Sequence, residues 1–198
     1  MAATLEFWFE FASTYSYLAA ERIQPLAAQA GVSVAWRPFL LGPIFQGQGW
    51  KDSPFNLYPA KGAYMWRDME RLTGQYALPF RRPSAFPRNG LLAARIAIAH
   101  DRQPWIGDFV RAVYRANFAE DREISDPAVL GVILQTLQLD PGPVLAAAGN
   151  ETNKAALKAQ TGRAMTLGLF GAPSFTVGDE LFWGNDRLEQ ALAFAGKS

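Results

Sequence analysis

Ser13 is the side chain in this sequence that most readily carries chemistry. It follows an alternating run, Thr4 to Phe9, and precedes a helical pattern marked by Tyr17, Leu18, Glu21, Arg22 and Leu26. It therefore stands at a strand-to-helix turn, where a hydroxyl can cap the helix beside unpaired amides and the positive end of the helix dipole. The chain holds no cysteine and a single histidine, His100. Disulfides, cysteine nucleophiles, thiolate-held metals and sites needing two imidazoles are all removed by that count. A serine hydroxyl attacks poorly without a base, and His100 falls at the far end of a predicted helix. Ser13 is thus better suited to donate a hydrogen bond than to attack. Taken alone, simple capping is the commoner role for such a serine; the two are compatible, because a cap uses the oxygen and leaves the proton free.

Other residues carry weaker signals. Asn185 and Asp186 stand at a second predicted helix start, where a plain N-cap accounts for either one alone. Lys61 reads by type as a solvated helix-face lysine, and Pro173 as an ordinary proline opening a strand. Gly42, Gly47 and Gly49 lack the third glycine and the strand-turn-helix setting of a dinucleotide fingerprint. Arg81, Arg82 and Arg88 form a small basic cluster that reads as a solvated loop, although it could attract an acidic substrate. Tyr64, Trp66, Asn89 and Trp183 could line an aromatic pocket, but such residues more often pack in a core. His100 reads as structural or exposed.

The elements that must position these groups are legible in outline. With 198 residues the chain suits one domain, or a compact domain carrying a large insertion, around one continuous core. Nineteen basic against eighteen acidic residues give a formal charge of +1, which calls for no polyanionic partner, so nucleic-acid binding is not expected. No stretch approaches the roughly 20 apolar residues of a membrane span. The opening residues from Met1 show no basic leader, and a cytoplasmic protein is expected.

Thr4 to Phe9, a helix ending near Gly31, and Val32 to Trp36 make a β-α-β unit with parallel strands. After Pro38, glycines and prolines read as a loop. Helices are then predicted at about 59–72, 89–100, 104–118, 125–139 and 152–167, with Ser125 as the cap of the fourth. Pro173 to Val177, a Gly178-Asp179 turn and Glu180 to Trp183 read as an antiparallel hairpin. Asp186 with Glu189 three residues on resembles a capping box opening a last helix. The expected fold is α/β: a β-α-β and β-β-α core, residues 1–38 and 168–198, with a large all-helical insertion at 39–167. A cleft between the two is the expected ligand site.

Five segments in order carry a family likeness: Phe9-Glu-Phe-Ala-Ser13-Thr-Tyr-Ser16-Tyr17, Pro59-Ala-Lys61-Gly-Ala-Tyr64-Met-Trp-Arg-Asp68, Phe86-Pro-Arg-Asn89, Gly171-Ala-Pro173 and Phe182-Trp-Gly-Asn185-Asp186-Arg187. Together they resemble the 2-hydroxychromene-2-carboxylate isomerases, relatives of the kappa-class glutathione transferases, on a thioredoxin-like fold. The family commonly has proline directly after the serine, and this chain has Thr14.

The resemblance implies a homodimer that uses glutathione as cofactor and takes a small aromatic keto-acid as substrate. It assigns Ser13 to the thiolate, and Ala172 and a cis Pro173 to the cysteinyl backbone. Asn185 and Asp186 go to the γ-glutamyl end, and Lys61 to the glycyl carboxylate. Lowering a thiol's pKa from about 8.5 by about 2 units takes roughly 2.7 kcal/mol, within reach of one hydroxyl donor and a helix terminus. Lys51 and Asp52 stay outside the assigned set. The alternatives are a kappa-like transferase that consumes glutathione and a non-catalytic glutathione-binding module, the latter favoured by Thr14. A disulfide oxidoreductase is excluded by the missing cysteines.

Overall fold

The computed structural model describes residues 3–197; Met1, Ala2 and Ser198, at the ends of the assigned outer segments, lie outside the described residues. Strand β1 (Thr4–Phe9) pairs in parallel with β2 (Ser33–Pro38) and antiparallel with β3 (Ser174–Val177), which pairs antiparallel with β4 (Glu180–Trp183). The sheet order is β2-β1-β3-β4, which puts the first strand beside the hairpin at the other end of the chain. This is the expected β-α-β and β-β-α core.

Alternation along β1 explains its central place. Leu5, Phe7 and Phe9 are fully buried in the main apolar cluster, while Trp8 on the opposite face packs with Phe39, Ile44, Ala164 and Leu169. Both faces are covered, so every side chain from Phe7 to Phe9 is buried. Helix α1 (Thr14–Ala30) runs from a Ser13 cap to Gly31, whose φ of 66° permits the left-handed turn into β2.

The region after Pro38 corrects the sequence reading. It holds two short helices, α2 (Leu41–Gly47) and α3 (Pro54–Leu57), because Ser53 caps α3 and Pro43 and Pro54 fit helical first turns. Then come α4 (Pro59–Gln75), α5 (Leu91–Ala99) and α6 (Ile106–Phe118). The cap of α7 (Pro127–Thr136) is Asp126, not Ser125: its carboxylate accepts from the Ala128 amide at 2.8 Å and puts Pro127 at the first position. An unpredicted α8 (Pro141–Gly149) precedes α9 (Glu151–Thr166). The capping box at the last helix does not form. Residues Asn185–Arg187 make a 3-10 turn leading into α10 (Leu188–Ala195), and Glu189 pairs instead with Arg22 of α1.

One apolar cluster joins sheet and insertion, running from Leu5 through Met69, Tyr114 and Phe118 to Ala195. A second, smaller cluster around Trp8 and Phe39 lies on the other face of the sheet, so the core is divided by the sheet and not the single continuous one expected from length. No helix among the described residues is long and apolar enough to cross a membrane.

Candidate active site

Where the carboxyl end of β1, the start of α1 and the turn before β3 meet α2 to α4, the chain forms an open cavity of about 1240 Å³. All six residues assigned from the sequence line it: Ser13, Lys61, Ala172, Pro173, Asn185 and Asp186. They come from four separate parts of the chain, and folding brings them to one wall or another of the same space.

Ser13 is fixed by three contacts. Its amide donates to the Glu10 carbonyl at 2.9 Å. Its Oγ accepts from the Ser16 amide at 3.2 Å, the helix cap, and donates to the Ala172 carbonyl at 2.9 Å. The hydroxyl is therefore both cap and donor, as its type allows. The Ala172–Pro173 bond is cis, so the expected proline geometry is present. The Pro173 carbonyl accepts from the Gly184 amide at 2.9 Å, tying the proline turn to the 3-10 turn that follows β4. Gly171 has a steric role: a Cβ there would lie 2.5 Å from Trp183 Nε1.

Asn185 and Asp186 differ although adjacent. Asn185 is buried, and its Oδ1 accepts from Arg22 at 2.9 Å, so its carbonyl oxygen is committed to the protein. Arg22 also lies over the Tyr76 ring, 4.1 Å from its centroid, and pairs with Glu189. Asp186 is 74% exposed and only 3.4 Å from the Arg187 guanidinium, a loose surface pair. Lys61 is exposed on α4, with its ammonium 5.7 Å from the centre of the Phe55 ring.

The basic cluster separates. Arg88 is not solvated but buried: its guanidinium donates to Asn117 Oδ1 and to Ser84 Oγ, and pairs with Asp121. Backbone and side-chain donors from Ser84 together with Arg88 hold the Asp121 carboxyl down at about 2. Arg81 stays exposed, and Arg82 stacks over Trp66, itself buried. His100 ends α5 against Trp105, ring centres 5.1 Å apart, in the structural role expected.

Three cavity residues have polar roles that the sequence reading did not assign. Tyr15 donates to Asp68 Oδ2 at 3.0 Å, and burial followed by that carboxylate pushes its phenol up. Glu10 lines the same cavity. Burial raises its carboxyl to about 7, against the opposing effect of one backbone donor, Ala12 N at 2.8 Å. The signal for Glu10 was present: a lone acid between Phe9 and Phe11, three residues before the capping serine. Tyr15 and Asp68 are 53 positions apart, and no local pattern joins them.

Fold and site together define a thioredoxin-type protein whose ligand cavity contains no thiol of its own. The sequence matches the DSBA-like thioredoxin domain family over residues 4–194, and the chain belongs to that family. It is 28% identical to a 2-hydroxychromene-2-carboxylate isomerase of Sphingobium xenophagum, over 96% of each chain. It is 23% identical to glutathione S-transferase kappa 1 of Caenorhabditis elegans, over 93% of this chain and 87% of that one. Among solved structures, a 2-hydroxychromene-2-carboxylate isomerase superposes with a TM-score of 0.84 at 24% identity, covering 98% of this chain and 95% of its own.

Proposed function

We propose that this protein is a glutathione-dependent isomerase that interconverts 2-hydroxychromene-2-carboxylate-like acids and trans-o-hydroxybenzylidenepyruvate-like acids. One observation carries the reading: in a chain without cysteine, the Ser13 hydroxyl at the start of α1 bonds to the carbonyl preceding cis Pro173 on the wall of the cavity. Relatives named as this isomerase, similar over nearly the whole chain, support it.

The cavity fits glutathione by size and by its polar groups. At about 1240 Å³ it exceeds the roughly 300–1,000 Å³ typical of small-ligand pockets, leaving space for a tripeptide and an aromatic acid together. An exposed carboxylate at Asp186 and an exposed ammonium at Lys61 match the charged ends of the tripeptide. Asn185 serves by holding the turn through Arg22, with its amide nitrogen left for the ligand.

Glutathione bound here would supply a thiolate for reversible addition to the conjugated acid, which would let a former double bond rotate. Ser13 turns its proton from the Ala172 carbonyl toward the sulfur while Oγ keeps accepting from Ser16, so the cap survives the change of partner. The Ala172 carbonyl released in this way becomes free to pair with the peptide backbone. No acidic side chain lies in the first turn of α1, so the helix terminus favours an anion there. The aromatic and apolar walls from α2 to α4 position the acid.

A kappa-like transferase, in which glutathione is consumed, is the second reading, favoured by the similarity to a transferase of that name. Incubation of pure protein and chromene acid with a trace of glutathione separates them. Turnover well beyond the glutathione added is expected; conversion that stops at one equivalent would establish the transferase instead.

A further inference from the structure

We propose that Glu10 is the acid–base catalyst of the isomerisation, moving the proton that opens and closes the substrate's oxygen ring; this rests on the isomerase reading above.

Glu10 Oε2 accepts from the Ala12 amide at 2.8 Å, whereas Oε1 has no hydrogen-bond partner among the described residues. The side chain is part-buried and lines the cavity that also contains Ser13. Gly90, before α5, lies beside this carboxyl: a Cβ there would meet Phe11 Cβ at 2.6 Å, and Glu10 Oε1 only at an ordinary contact distance of 3.6 Å. Two charged or titratable groups on the packed elements bear on this carboxyl. Tyr114 of α6 donates to the Glu10 carbonyl at 2.9 Å, with its own phenol raised by burial and by Glu10. Arg88, in the loop before α5, is held by Asn117, Ser84 and Asp121 and forms no ion pair with Glu10. Burial without a cation is what brings the carboxyl to about 7, where both protonation states are populated near neutrality.

The ring-opening step balances without any co-reactant. Glu10 takes the proton of the ring-carbon hydroxyl, and that O–H electron pair becomes the new C=O bond. The bond from the same carbon to the ring oxygen breaks, with its pair leaving on that oxygen, and Glu10 returns the proton there as the phenol forms. Closure is the reverse, and the carboxyl ends as it began.

The test uses Glu10→Gln, which retains an acceptor for the Ala12 amide and so preserves the turn. In protein labelled with carbon-13 at glutamate carboxyls, one signal should titrate near pH 7 in the wild type and vanish in the variant. A Glu10 carboxyl ionised throughout about pH 5 to about pH 9 would overturn the proposal. Turnover of the chromene acid should fall about 10²- to 10⁴-fold in Glu10→Gln, and the neutral limb of its pH profile should disappear. Glutathione affinity and the ultraviolet thiolate signal of bound glutathione should stay at wild-type values. A variant with wild-type turnover and pH profile removes this inference and leaves the isomerase reading intact. Absence of isomerisation by wild-type protein that binds glutathione removes both.

Discussion

The two walls of the cavity are built differently. The sheet-side wall is cross-bonded: Ser13 contacts Glu10, Ser16 and Ala172, and buried Asn185 is anchored to Arg22, although Asp186 beside it is exposed. The helical wall is looser, with Tyr64 62% accessible and the Lys61 ammonium held only over the Phe55 ring. Reaction geometry tolerates little displacement, whereas recognition can be spread over adaptable contacts. The difference suggests that chemistry belongs to the sheet side and substrate choice to the helices.

The strongest way to break that division is Ser13→Ala. Turnover is expected to fall about 10²- to 10³-fold, as when one preorganised donor is removed, and the thiolate signal of bound glutathione should shift to higher pH. An unchanged pH profile with full turnover would take the chemistry away from the sheet side. Lys61→Met tests the opposite wall: glutathione Kd should rise about tenfold, roughly 1.4 kcal/mol, with kcat at saturating glutathione preserved. A fall in kcat with unchanged Kd would reverse the assignment of that wall.

A third effect concerns pH and stability. Glu10 titrates at about 7 in the folded protein against 4.5 for the ordinary carboxyl. Between those values the folded state binds more protons than the unfolded chain, so this group lowers stability as pH rises through the window. Thermal melts should therefore show the Tm of Glu10→Gln gaining on wild type from about pH 5 to about pH 8. A constant difference would mean that the carboxyl is not held neutral by its surroundings. The smallest effect is expected from Thr14→Pro. Thr14 is buried with an unpartnered hydroxyl at the first helical position, and Ser13 before it is already extended (φ −78°, ψ 117°). Proline should raise stability by about 0.4–1 kcal/mol, read as a Tm rise of a few degrees, with the Ser13 cap intact.

Much of the frame was legible because it is written in local pattern. Alternation in Thr4–Phe9, the cap at Ser13, the glycine at 31 and the Gly178-Asp179 turn each fix backbone geometry within a few residues. The errors fall where local signals compete. Pro43 and Pro54, read as loop markers, sit in helical first turns, and Asp126 outcompetes Ser125 because it directly precedes Pro127. Arg88 was read as solvated because its partners Asn117 and Asp121 lie about thirty positions further on.

The sequence by itself determined the outline of the strands and of α1, the absence of a thiol and the identity of the donor at position 13, since these depend on residue type and near neighbours. Tertiary structure decided what those residues touch. It paired the Ser13 hydroxyl with Ala172, 159 positions away, and spent the Asn185 oxygen on Arg22. It also placed Glu10, half-buried and without an ion-pair partner among the described residues, beside the cavity, where desolvation raises its carboxyl. Desolvation and cross-chain hydrogen bonds depend on distances that only the folded chain sets, and the properties of this cavity follow from them.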